Sequence, residues 1–104
     1  MATGGSGNSS GRYSVGATER IHILVGDRTG GGHRHGAGQQ RSEFPQAWTD
    51  DAIIMAIERI ANSSTSTSSN GRLGRKIFMG TENSVRIKVV ADPKTGRIIT
   101  GFPG

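Results

Sequence analysis

Cysteine is absent from this chain, so neither a disulfide nor a thiolate metal site can stabilise or arm it. Apolar residues are scarce at 32%. No apolar run approaches membrane-spanning length, and the first residues lack the charged start and apolar centre of a signal peptide. Export would therefore depend on an address carried by a larger precursor. Acidic residues are also few, eight against thirteen Lys and Arg, which leaves a net charge of +5.

Two stretches account for much of the apolar deficit. The opening MATGGSGNSSGRYSVG and the middle NSSTSTSSNG hold almost nothing that can be buried. Composition thus predicts a flexible Gly/Ser-rich leader over residues 1–18, a single folded domain over residues 19–104, and one flexible loop within it. The positive excess is uneven. From Arg72 to the end there are seven Lys and Arg against two acids, whereas between Arg41 and Ala61 acids lead four to two. A basic face favours a polyanionic partner through counterion release, and nucleic acid is the commonest such partner.

Local patterns sketch the fold. RIHILV (20–25) alternates and predicts a strand, followed by a glycine-rich turn. TDDAIIMAIERIA predicts a helix: Thr49 is a good N-cap, Asp50 and Asp51 sit where the helix dipole favours acids, and Ile53, Ile57 and Ile60 form one stripe. RKIFMG, SVRIKVVA and RIITGF predict a three-stranded antiparallel meander, its last two strands joined by the turn DPKTG. The expected class is α+β, one main helix packed on a small antiparallel sheet.

All three histidines lie within RIHILVGDRTGGGHRHG, around three consecutive glycines. Several chemistries fit them. His33 and His35 can share a metal, although no acid clusters beside them in sequence. Gly30 to Gly32 can offer backbone N–H groups to an anion, although the run lacks the Lys-Ser/Thr ending of a nucleotide-triphosphate loop. Two imidazoles can serve as base and acid in RNA cleavage, where the 2′-hydroxyl is the nucleophile and a cation steadies the phosphorane. They can also be unrelated surface residues. Spacing alone favours the last of these readings.

HILVGDRTGGGHRHG, SEFPQAWTDDAI and VRIKVVADPKTGRIITGFP, in that order, resemble the bacterial branch of the EndoU ribonuclease family from Ile21 to Pro103. The resemblance implies a metal-independent endoribonuclease that needs no cofactor and leaves a 2′,3′-cyclic phosphate and a 5′-hydroxyl. His22 and His33 match the family histidines, with His33 as general base and His22 as general acid. The family lysine before FP is replaced here by Arg41, which keeps the charge but does not readily give up a proton. Thr100 and Phe102 fall where the family reads the base, while Gly31, Gly32, Arg34 and His35 become candidate substrate contacts. The resemblance also implies a toxin domain, secreted as part of a larger protein and acting in the cytoplasm of a target bacterium. Its partners would be RNA, with tRNA as the expected substrate, and a cognate immunity protein; the domain itself would be a monomer without a membrane span. The competing expectation is a basic RNA-binding domain of the same fold without turnover.

Overall fold

The computed structural model describes residues 12–38 and 42–104. The element order is α1 (Ala17–Leu24), α2 (Asp50–Asn62), β1 (Thr67–Asn70), β2 (Lys76–Glu82), β3 (Val85–Asp92) and β4 (Arg97–Pro103). The strands form one antiparallel sheet in the order β1-β2-β3-β4. This is the expected α+β class, with two α-helices among the described residues where the sequence suggests one main helix.

Helix α2 follows its sequence pattern. The Thr49 side chain accepts from the Ala52 N–H at 3.1 Å, and Asp50 and Asp51 occupy the first turn. Its stripe of Ile53, Ile57 and Ile60 packs on Ile87, Val89, Ala91 and Ile98 of the sheet, all buried. Two strand glycines make the approach possible. A Cβ at Gly80 would lie 2.5 Å from Ile60 Cδ1, and one at Gly101 would lie 2.8 Å from Ile57 Cδ1.

Three expectations are corrected. Residues 20–25 are not a strand, because Ala17–Leu24 is helical. Alternation predicts Ile21, Ile23 and Val25 on one inward face; instead the consecutive Ile23 and Leu24 are buried while Ile21 and Val25 are exposed. Short apolar runs do not separate helix from strand, and packing against β4 decides the matter here. The Ser/Thr stretch contributes β1, a polar and fully exposed edge strand whose Ser68 pairs with Phe78 and Ser69 with Ile77. Backbone hydrogen bonding holds such a strand without apolar side chains.

The third correction concerns the N-terminal boundary. Tyr13, placed by composition in the leader, is 4% exposed, and α1 begins before residue 19. Asn62 holds the Tyr13 backbone from both sides, accepting from its N–H at 2.9 Å and donating to its carbonyl at 3.0 Å. Ser14 then bridges to β4, donating to the Gly96 carbonyl and accepting from the Ile98 N–H. A single aromatic ring and a few backbone bonds dock a segment whose average composition is too polar to suggest it.

Candidate active site

The loop after α1 solves a problem common to helix ends. The last carbonyls of a helix lack partners within it. Here the Ile21 carbonyl accepts from the Val25 and Gly26 N–H groups, and the chain then returns so that Gly32, His33 and Arg34 donate to the carbonyls of His22, Ile23 and Leu24 at 2.9, 2.7 and 3.1 Å. Each of the four carbonyls is satisfied. The return passes so close to His22 that a Cβ at Gly31 would clash with the His22 carbonyl oxygen, and Gly31 adopts a φ of +81°, which favours glycine. The three glycines therefore let the chain double back and bring His33 beside His22.

Both histidines line one cleft of about 410 Å³, together with Thr29, Gly31, Thr100 and Phe102. His22 Nδ1 lies 3.0 Å from Asp27 Oδ1. That same carboxylate oxygen accepts from the Thr29 hydroxyl at 2.7 Å and the Thr29 N–H at 2.9 Å. The Thr29 hydroxyl bond, then the bond to His22, hold the Asp27 carboxyl down from its ordinary 3.8 to about 2. Asp27 is thus ionised at neutral pH, can only accept, and fixes a proton on Nδ1 of His22.

His33 is fixed differently. Its Nδ1 lies 2.7 Å from the Ser42 carbonyl oxygen, an obligate acceptor, so Nδ1 again carries the proton. Its backbone is tied on both sides, donating to Ile23 and accepting from the Phe44 N–H at 2.7 Å. Its ring stacks on Phe102 with centroids 5.1 Å apart and planes at 25°, and the residue is 6% exposed. With Nδ1 protonated on both rings, Nε2 is the nitrogen of each that can take up or release a proton.

A bulge in β4 delivers the other wall. Ile98 pairs with Ala91 and Thr100 pairs with Val90, leaving Ile99 as an extra residue. Uninterrupted alternation would put Ile98, Thr100 and Phe102 on one face. The bulge separates them: Ile98 and Gly101 are buried toward α2, while Thr100 and Phe102 line the cleft. Phe102 does not stand open to a base on both faces, since His33 covers one of them.

The structure gathers His22, His33, Gly31, Thr100 and Phe102, and leaves three other candidates elsewhere. The Gly32 amide is committed to the His22 carbonyl and is not available to an anion. Arg34 pairs with Asp50 at 3.4 Å, and His35 pairs with Glu43 at 3.7 Å with half its side chain exposed. Arg41 lies outside the described residues. Among the described residues no group of three His, Asp or Glu side chains is placed to hold a metal ion. Sequence reasoning missed Asp27 and Thr29 as orienting groups. The signal was GDRTG, since an Asp two residues before a Thr builds a local side-chain turn.

Residues 37–104 match the family model described as bacterial EndoU nuclease. Ser42, Thr100 and Phe102 fall inside that region, whereas His22 and His33 reach the cleft from the segment before it. No curated protein and no solved structure gives a significant match to the chain. Among the described residues no helix is long and apolar enough to cross a membrane.

Proposed function

Because the chain belongs to the bacterial EndoU nuclease family, we propose that it is an endoribonuclease working by two-histidine acid–base catalysis without a metal. One observation carries this reading: two imidazoles, each with Nδ1 held by an acceptor, share a cleft. His33 Nε2 takes the proton from the 2′-hydroxyl. The resulting oxyanion attacks phosphorus, the bond from phosphorus to the 5′-oxygen breaks, and His22 Nε2 gives the leaving oxygen its proton. The products are a 2′,3′-cyclic phosphate and a 5′-hydroxyl.

The division of roles follows the family resemblance, and each ring is held for its part: His22 by the Asp27 carboxylate at Nδ1, His33 by the Ser42 carbonyl at Nδ1 and by stacking on Phe102. The Gly31 N–H, at the cleft wall, is the amide of the glycine run left for a non-bridging phosphate oxygen. Arg41, the neighbour of Ser42 in the chain, supplies the positive charge that steadies the phosphorane. Thr100 contacts the base.

The wider reading is a toxin domain. The +5 charge supports RNA as substrate, tRNA being the expected target in a bacterial cytoplasm, and an acidic immunity protein as the partner that covers the cleft. Delivery as part of a larger secreted protein and action as a monomer belong to the same proposal.

Incubation of the chain with total tRNA in excess EDTA, beside His22→Ala and His33→Ala, tests the mechanism. Each substitution should lower the rate by about 10²–10⁴-fold, and the new ends of the wild-type products should be cyclic phosphates. Loss of cleavage on chelation, or intact RNA with folded wild-type protein, overturns it; the second outcome favours an RNA-binding domain without turnover.

A further inference from the structure

We propose a second nucleotide-binding subsite, remote from the cleft, where Arg12, Tyr13, Ser64, Lys76 and Phe78 surround a pocket of about 480 Å³. It takes a phosphate and its base from an RNA that extends beyond the scissile bond, and so rests on the ribonuclease reading above.

The pocket lies between the N-terminal segment, the C-terminal end of α2 and strand β2. Its lining brings two cations to one space. Arg20, Arg34, Arg59 and Arg97 each meet a carboxylate, whereas the other described Lys and Arg residues form no ion pair among the described residues. Arg12 and Lys76 are the two of these that share this pocket, and no carboxylate lines it. Two cations facing one cavity without a counterion are a site for an anion.

The aromatic wall narrows the class of anion. The Arg12 guanidinium lies over the Tyr13 ring, 5.4 Å from its centroid, and Tyr13 meets Phe78 edge-on at 5.2 Å and 63°. Half-buried Phe78 and the flat guanidinium offer surfaces for a planar base, while Lys76 and Arg12 hold the phosphate. The Ser64 side chain adds a hydroxyl donor. Asn62, by clamping the Tyr13 backbone, keeps this wall in place.

Sheet register places the pocket away from the catalytic cleft. Phe78 pairs with Val89 and Val89 with Gly101, so the Phe78 side chain shares the helix-covered face, opposite Thr100 and Phe102. A short oligonucleotide held in the cleft does not reach it. A long or folded RNA wrapping the sheet does.

The test measures binding rather than turnover. In a His22→Ala background, the affinity of labelled tRNA and of a labelled dinucleotide is followed across salt concentrations. The double variant Arg12→Gln/Lys76→Gln is set beside Arg72→Gln/Lys94→Gln, which removes the same charge from two exposed turns. The pocket variant should bind tRNA about tenfold more weakly, with a salt slope reduced by about 0.7 for one single-strand phosphate contact, and should bind the dinucleotide unchanged. Equal losses in both double variants would overturn the proposal. So would adenosine monophosphate shifting the Ala61 and Phe78 amides in an NMR titration while tRNA affinity stays constant, which would make a free nucleotide the ligand. Lower thermal stability with unchanged affinity would also overturn it and make the two cations partners of the negative end of α2. If the His22→Ala chain binds no RNA at all, the ribonuclease reading itself fails, and that result is separable from the others.

Discussion

Gly31 crosses the carbonyl of His22 with no room for a Cβ between them. This contact, more than any side-chain bond, brings the two histidines together, because the next three N–H groups close the end of α1. Gly36 has a similar φ of +84° but open space around it. Gly31→Ala should therefore lose stability and nearly all cleavage, while Gly36→Ala should lose about 1–2 kcal/mol from its backbone conformation and keep its activity per folded molecule. Thermal melts and tRNA cleavage on both variants check this. Equal behaviour would separate the glycine run from the site geometry.

Asp27 orients His22, so Asp27→Asn should leave the fold intact and reduce the rate at least about tenfold, a part of what general acid catalysis supplies. The same carboxyl gives a pH signature. Its value falls from 3.8 to about 2 on folding. Its contribution to stability is complete above the unfolded value and is lost as pH drops through the folded one. Melting temperatures measured between pH 5 and pH 2 should decline more steeply for the wild type than for Asp27→Asn. The difference should be modest because the carboxylate is partly exposed and solvent screens it.

Phe102 stacks on His33, so its first task is to hold the ring of the proposed base. Phe102→Ala should lower kcat more than it raises KM, since a misplaced base slows the proton transfer at saturation. Phe102→Leu should recover part of the loss by filling the space. If the ring instead served chiefly to stack a nucleobase, KM would carry the effect. Steady-state kinetics on a short defined RNA distinguishes the two.

Gly101 sits between Thr100 and Phe102 and lets α2 approach β4. In Gly101→Ala the added methyl meets Ile57, which is fully buried. Overpacking of this kind costs about 1–3 kcal/mol. The strain should also move the neighbouring cleft residues, so cleavage should fall in molecules that remain folded. Ile57→Val in the same chain should restore part of the lost stability, which chemical denaturation can measure.

Some of this protein is legible in its sequence because it depends on neighbours along the chain. The spacing of Ile53, Ile57 and Ile60, the Thr49 cap and the DPKTG turn are local, and each forms as its pattern says. The glycine run beside His33 likewise announces a sharp return. The rest was decided by contacts between distant segments. Residues 20–25 alternate like a strand, and they are helical because β4 offers a surface for Ile23 and Leu24 and a returning loop takes up the last carbonyls. Tyr13 becomes core only because Asn62, far along the chain, binds its backbone. A polar Ser/Thr run becomes strand β1 because the exposed edge of β2 supplies hydrogen bonds. The bulge at Ile99 turns Thr100 and Phe102 away from Ile98, and nothing in the alternation of RIITGF marks it. The sequence alone determined which groups could perform the chemistry. Tertiary structure decided which of them meet, since Gly31, Thr100 and Phe102 reach the two histidines while Arg34 and His35 are drawn off by Asp50 and Glu43.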